Sequence, residues 1–228
     1  MAAVLGKPPI RIRVSYARLA LGALRRTYRY RPIVLTNSPA RQVLTNGIVL
    51  CHAQTWLTRP RLVSLPFSDH CQPLADSWAE LDVLLTSLLD SFNQYQCKYL
   101  ELRPWDNDCR CAHPEIRLLP HQSFCHHTLD LRPDLSAVFH RLHGSCIRRK
   151  IRRAEKENVT AHQGRSETLI RQFYGLLTMT RRHHGLVPQP FSWFRNLCDC
   201  LGEAMTIRVA CWRDRPIAGI LPCSSRIG

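Results

Sequence analysis

One stretch, residues 140–184, constrains the fold of this 228-residue chain more than any other. It reads HRLHGSCIRRKIRRAEKENVTAHQGRSETLIRQFYGLLTMTRRHH. Its first part predicts a helix over 145–157, in which Ile147, Ile151 and Ala154 recur at i, i+4 and i+7 and so share one face. Arg148, Arg149, Lys150, Arg152, Arg153 and Lys156 take the remaining circumference, relieved by Glu155 and Glu157 alone. A stripe that narrow docks a helix by one edge and leaves the rest to solvent or to an anion. A second helix is predicted from a Ser166 cap followed by Glu167, with Leu169, Phe173, Leu176 and Leu177 on one face. It ends in Arg181, Arg182, His183 and His184, which complement the helix dipole, and Gly185 stops it. The two basic clusters are expected to converge on one anionic group.

The net charge of +15 at pH 7 points the same way. It exceeds what solubility needs and implies nucleic acid, a nucleotide or phosphate-bearing substrate, or an anionic membrane surface as partner. With 45% apolar and 21% charged residues the chain is globular in composition, long enough for one large domain or two small ones. Its eleven cysteines meet an N-terminus without a signal peptide's apolar core, and no run approaches the roughly 18 apolar residues of a bilayer span. A cytoplasmic protein with reduced thiols and no transmembrane segment is the reading. Cys97, Cys146 and Cys211 sit in apolar surroundings and are expected to pack as small hydrophobes.

In chain order, residues 1–27 are basic and poorly patterned, with a short helix suggested by Leu19, Leu21 and Leu24. Residues 33–36 and 48–56 predict strands, 58–61 a turn, and 62–65 a strand stopped by Pro66. After the loop FSDHCQP, Ser77 caps a strong helix running to about residue 95, with Leu81, Leu84, Leu85, Leu88, Leu89 and Phe92 on one face. Residues 97–103 predict a strand, 104–114 an irregular loop, and 117–124 an extended piece. HTLDL at 127–131 predicts a strand opening a second unit, followed by a helix from Asp134 through Leu142. Beyond the basic helix, 159–162 predict a strand, 191–201 a helix ended by Gly202, and 206–212 with 217–221 a hairpin. The alternation is that of an α+β (mixed α/β) protein with two similar halves.

Several chemistries are argued against by spacing. Cys109, Cys111 and His113, with His121, Cys125, His126 and His127, supply zinc-ligand types, but C-x-C is too tight for the common frameworks and no second pair follows. No metal is therefore expected. Cys198 and Cys200 stand two apart on a helix and do not face each other. The G-x-S-x-G elbow, the G-x-x-x-x-G-K-[ST] loop and G-x-G-x-x-G are absent. Asp69 and His70 form a loop pair best explained by turn and cap preferences, as are Asp106 and Asp108.

Three blocks resemble the FemA/FemB-like branch of the GNAT acyltransferase superfamily. RLVSLPFSDHCQPL at 61–74 is similar to that branch's strand and loop, and YLELR at 99–103 to the strand after its first helix. Residues 148–156 and 181–188 resemble its R-x-x-I-R-x-A-x-K helix and the R-R-x-x-G-x-x-x-P helix end. CWRDRPIAGIL looks like its late hairpin, and together the blocks span about residues 28–221. No [RQ]-x-x-G-x-[GA] coenzyme A loop is present.

The resemblance implies tandem GNAT-like lobes, each a mixed sheet flanked by helices: 28–126 the first, 127–228 a second that would continue beyond Gly228. It implies transfer of an acyl or aminoacyl group from acyl-coenzyme A or aminoacyl-tRNA to an amine, in cell-wall or polysaccharide biosynthesis. The carrier would be a co-substrate, with no tightly bound cofactor. Arg148, Arg149, Arg152, Arg153 and Lys156 would bind donor or acceptor phosphate with Arg181 and Arg182 assisting, while Ser68, Asp69 and His70 line the first lobe's loop. Two other readings stand beside it: a non-catalytic basic nucleic-acid-binding protein, and an inactive fragment of such a transferase.

Overall fold

The computed structural model describes residues 10–38, 45–55, 58–75, 77–104, 117–125 and 127–224. The Cys109, Cys111 and His113 cluster, Asp106, Asp108 and His126 fall outside them. The chain divides into two compact units: residues up to Pro120 with Asp199–Gly202, and His121–Cys198 with Glu203–Ser224.

In the first unit, helix α1 (Ile10–Tyr28) precedes strands β1 (Arg31–Leu35), β2 (Ile48–Thr55) and β3 (Thr58–Val63). Helix α2 (Trp78–Gln94) and the two-residue strand β4 (Leu100–Glu101) follow. The sheet order is β1-β2-β3-β4, antiparallel except that β4 joins β3 in parallel. Alternation sends Ile48, Leu50 and Leu62 to one face. There they pack with Leu81, Leu84, Leu85, Leu88 and Cys97 in one cluster. The helix face legible from leucine spacing is thus the core, and each buried leucine contributes about 1.5–3 kcal/mol by transfer from water. Ser77 caps α2 by accepting the Glu80 N–H. Glu80 in turn accepts from Nδ2 of buried Asn46 at 3.1 Å, tying the helix start to the entry of β2.

Two expectations fail here for local reasons. Residues 58–61 are strand rather than turn, because β2 and β3 pair as far as Thr55 opposite Thr58. The shift between Ala53 and Thr55 leaves an extra residue on β3. That bulge accommodates Pro60, which has no N–H for the ladder; its carbonyl accepts from Lys98 at 2.8 Å. The helix expected near Leu19 is 19 residues long, with Leu21, Ala23 and Leu24 buried.

In the second unit, α3 (Leu135–Arg141) starts at an Asp134 cap, and one π-helical turn (Gly144–Arg148) leads into α4 (Arg149–Lys156). Strand β5 (Thr160–Gly164), helix α5 (Glu167–His183), helix α6 (Phe191–Leu201) up to Cys198, and strands β6 (Ile207–Trp212) and β7 (Arg215–Ile220) complete it. The sheet is antiparallel in the order β5-β6-β7. Arg213 and Asp214 both have positive φ, 49° and 60°. They form the two-residue turn whose twist suits a hairpin. Ile207, Val209 and Cys211 are buried on the face that α5 covers. Glu167, in the first turn of α5, bonds both Arg171 and Arg195, joining α5 to α6, and Phe173 and Tyr174 meet Phe194 edge-on or tilted.

The strand expected at 127–131 does not form: Leu129 and Leu131 are 55% and 72% exposed. Alternation alone supplies no partner ladder, and none of the described strands pairs there. Cys97 and Cys211 are buried as expected, whereas Cys146 is exposed. Two sheets flanked by helices give the mixed α+β architecture expected from sequence. Among the described residues no helix is long and apolar enough to cross a membrane.

Candidate functional site

The basic stretch departs from a plain helix at its start. Arg148 N–H bonds the His143 carbonyl at 3.2 Å and Arg149 N–H the Gly144 carbonyl, so the chain winds one wide i to i−5 turn. The His143 ring closes the turn by accepting the Cys146 N–H at 3.3 Å. The face expected to carry Ile147, Ile151 and Ala154 is kept only in part. Ile147 is 43% exposed, while Ile151, Ala154 and Arg148 are half-buried. The partly buried positions of this stretch therefore include an arginine.

Arg148 is held unusually. Its Nε is buried with no hydrogen-bond partner among the described residues. A side chain at Gly144 would put Cβ 2.8 Å from Nη2, so the glycine leaves the room the guanidinium uses. Arg152 lies over the Phe139 ring of α3 at 6.0 Å, a weak cation–π contact. Arg153 bonds Glu157 at 2.7 Å, which raises its already high pKa. Arg148, Arg149, Lys150, Arg152 and Lys156 form no ion pair among the described residues. The helix ends where Asn158 turns left-handed at φ 54° and the Val159 N–H reaches the Ala154 carbonyl at 2.9 Å.

The second basic cluster closes α5. Gly185, at φ 65°, donates to the Arg182 carbonyl, and Leu186 donates to that of Arg181 at 2.8 Å. This is the paired ending that a glycine after the last turn predicts. Helix α5 starts beside β5 and reaches β7, where a Cβ at Gly219 would meet Phe173 at 3.0 Å. Arg181 and Arg182 lie two turns further on, whereas α4 leads into β5 at the opposite edge of the sheet. The fold thus gathers Arg148, Arg149, Arg152, Arg153 and Lys156 on α4 and the turn before it and carries Arg181 and Arg182 on α5. A cavity of about 440 Å³ opens between β5 and the start of α5, beside His162, Thr168, Gln172 and Asp214.

Ser68, Asp69 and His70 belong to a braced loop in the first unit. The Ser68 hydroxyl donates to the His70 carbonyl at 2.8 Å, while Asp69 and His70 are exposed. Leu65 and Phe67 hold positive φ, 40° and 65°, a conformation side chains disfavour. Arg103 is the brace, and sequence reasoning gave it no role. It donates to the Ser68 carbonyl at 2.6 Å and pairs with Glu101, while its N–H bonds the buried Ser64 hydroxyl at 2.8 Å. Its carbonyl accepts from Cys71. The sequence signal was a charged residue closing a strand, which spacing alone does not distinguish from a solvent-exposed one.

The fold is similar to that of a crystal structure of FemX, with a TM-score of 0.58 and 12% sequence identity. The similarity covers 90% of this chain and 57% of that one, so the chain spans a little over half the length of that structure. No family model matches the chain, and no curated protein matches it in sequence.

Proposed function

We propose that the chain is an acyl- or aminoacyltransferase that holds the phosphates of its donor, acyl-coenzyme A or aminoacyl-tRNA, on α4 and the turn before it. Arg181 and Arg182 assist, Ser68, Asp69 and His70 line the first unit's loop, and an amine is the acceptor. The sequence resemblance and the fold shared with FemX support the class. The charge arrangement on α4 carries the binding assignment. Arg148 and Arg152, Arg149 and Arg153, and Arg152 and Lys156 are like-charge i, i+4 neighbours, each costing roughly 0.2–0.5 kcal/mol in an isolated helix. A bound polyphosphate reverses that cost, and guanidinium groups bind phosphate oxygens in bidentate fashion. Positioning of donor against amine and polarisation of the carbonyl would then supply the rate without a covalent nucleophile.

The test is binding of coenzyme A and of tRNA to wild type and to R148A/R149A/R152A, paired with turnover of an acyl donor against amine acceptors. Saturable coenzyme A or tRNA binding, lost in the triple variant, is expected; unchanged affinity refutes the site. One observation favours a purely nucleic-acid-binding protein instead: Arg149, Arg152, Arg153 and Lys156 are all exposed. That reading predicts tRNA binding with a steep salt slope and no turnover.

A further inference from the structure

The first unit contains a basic pocket made entirely from its own residues. A cavity of about 390 Å³ is lined by Arg29, Arg31, His52, Gln54 and Thr55. Two elements converge to build it. Helix α1 ends at Tyr28, and Arg29 takes a left-handed φ of 59° that turns the chain directly into β1. Arg31 then pairs across the sheet with His52, and Gln54 and Thr55 follow on β2. Tyr95, at the end of α2, fixes the arrangement: its ring stacks on His52 at 4.8 Å, and the Arg31 guanidinium lies 5.5 Å from the ring centre.

Every charged group lining this pocket is cationic. Neither Arg29 nor Arg31 has a carboxylate partner among the described residues. Nε2 of His52 is buried and has no hydrogen-bond partner there. A buried polar atom without a partner is costly, so such atoms are expected to be satisfied when a ligand is bound. Burial and the neighbouring Arg31 hold the His52 pKa below its ordinary value, which favours the neutral ring at neutral pH. The pocket therefore offers two permanent charges, a neutral imidazole and an amide, while the Thr55 hydroxyl is bonded to Thr58 at 2.8 Å.

We propose that this pocket binds the phosphoryl group of a phosphorylated small molecule, held by Arg29 and Arg31 with Gln54 as a neutral donor. One guanidinium already satisfies both oxygens of a carboxylate, whereas two guanidiniums match the charge and the additional oxygens of a phosphoryl dianion. Preorganisation by Tyr95 lowers the ordering cost of binding. The site stands on first-unit residues and does not depend on the transferase reading.

The experiment titrates the full chain with pyrophosphate, inorganic phosphate and acetate by calorimetry, in the R148A/R149A/R152A background so that α4 does not contribute. Saturable pyrophosphate or phosphate binding is expected, with acetate at least tenfold weaker. Replacing both pocket arginines (R29Q/R31Q) is expected to weaken it at least tenfold. R25A/R26A, which removes the same charge from exposed positions outside the pocket, is expected to change it less than twofold. In parallel, the His52 ring resonances should shift on pyrophosphate addition, a readout independent of whether the pocket variants fold. No saturable phosphate or pyrophosphate binding, acetate binding as tight as phosphate, equal losses in the two double variants, or unmoved His52 resonances overturns the assignment.

Discussion

Replacing Gly144 by alanine separates the folding role of the π-turn from its binding role. Gly144 is not among the glycines with positive φ, so alanine meets no backbone strain. Its Cβ would stand 2.8 Å from Nη2 of Arg148, 3.6 Å from Cζ and 3.7 Å from Nε. Reaching an ordinary contact of about 3.4 Å requires the guanidinium to retreat by roughly 0.6 Å. Because the obstructing atom is the far end of a flexible side chain, Arg148 moves and the turn does not. Loss of glycine's unfolded-state freedom stabilises by about 0.4–1 kcal/mol, and an off-rotamer Arg148 costs about 0.5–1.5 kcal/mol. Net stability should therefore stay within about 1 kcal/mol of wild type. A guanidinium moved off its phosphate forfeits a charge-assisted hydrogen bond of about 1.5–3 kcal/mol, or about 10- to 100-fold in carrier affinity. Calorimetric titration with coenzyme A, filter binding with tRNA and a urea melt measure both quantities, with R148A as the reference. Wild-type affinity in G144A, alongside weakened binding in R148A, would refute the claim that the glycine seats the arginine.

Three further outcomes test the fold and its electrostatics. Leu84→Ala removes a side chain with no exposure from the first unit's core, and should cost about 2–5 kcal/mol in a denaturant melt. Gly219→Ala drives Cβ to 3.0 Å from Phe173 and 3.5 Å from Leu176; such overpacking should cost about 1–3 kcal/mol, read as faster hydrogen exchange in β6 and β7. Hydrogen bonds from Arg132 pull the Asp130 pKa down to about 2. A depressed folded pKa means that its stabilisation is present above the unfolded carboxyl's pKa of about 3.9 and is lost as pH falls through about 2. Carboxyl titration by NMR should show that midpoint, and R132A should return it toward the ordinary value.

Much of the fold was readable because its determinants are local and periodic. Leucines at 81, 84, 85 and 88 repeat at the helical period and fall inside, and Ser77, Ser166 and Asp134 cap the helices they precede. Gly185 and the pair Arg213 and Asp214 punctuate the chain where their backbone geometry requires it. Failures occurred where pairing decided the outcome. HTLDL has strand alternation without a ladder, and Pro60 lies within a strand because a bulge accommodates it.

The candidate sites divide along the same line. Sequence alone determined that α4 is a helix crowded with like charge, because residue identity and the 3.6-residue period need no tertiary information. It also determined which residues of α5 end in a basic turn. The three-dimensional structure decided that a π-turn precedes α4, that Ile147 is exposed and that Nε of Arg148 is buried, outcomes set by backbone winding and packing rather than by residue spacing. It likewise decided that Arg103 braces the Ser68 loop and that Arg29, Arg31 and His52 line one pocket, with Tyr95 stacked on His52. His52 and Tyr95 lie tens of positions from Arg29 and Arg31, and only the pairing of β1 with β2 and the docking of α2 bring them together.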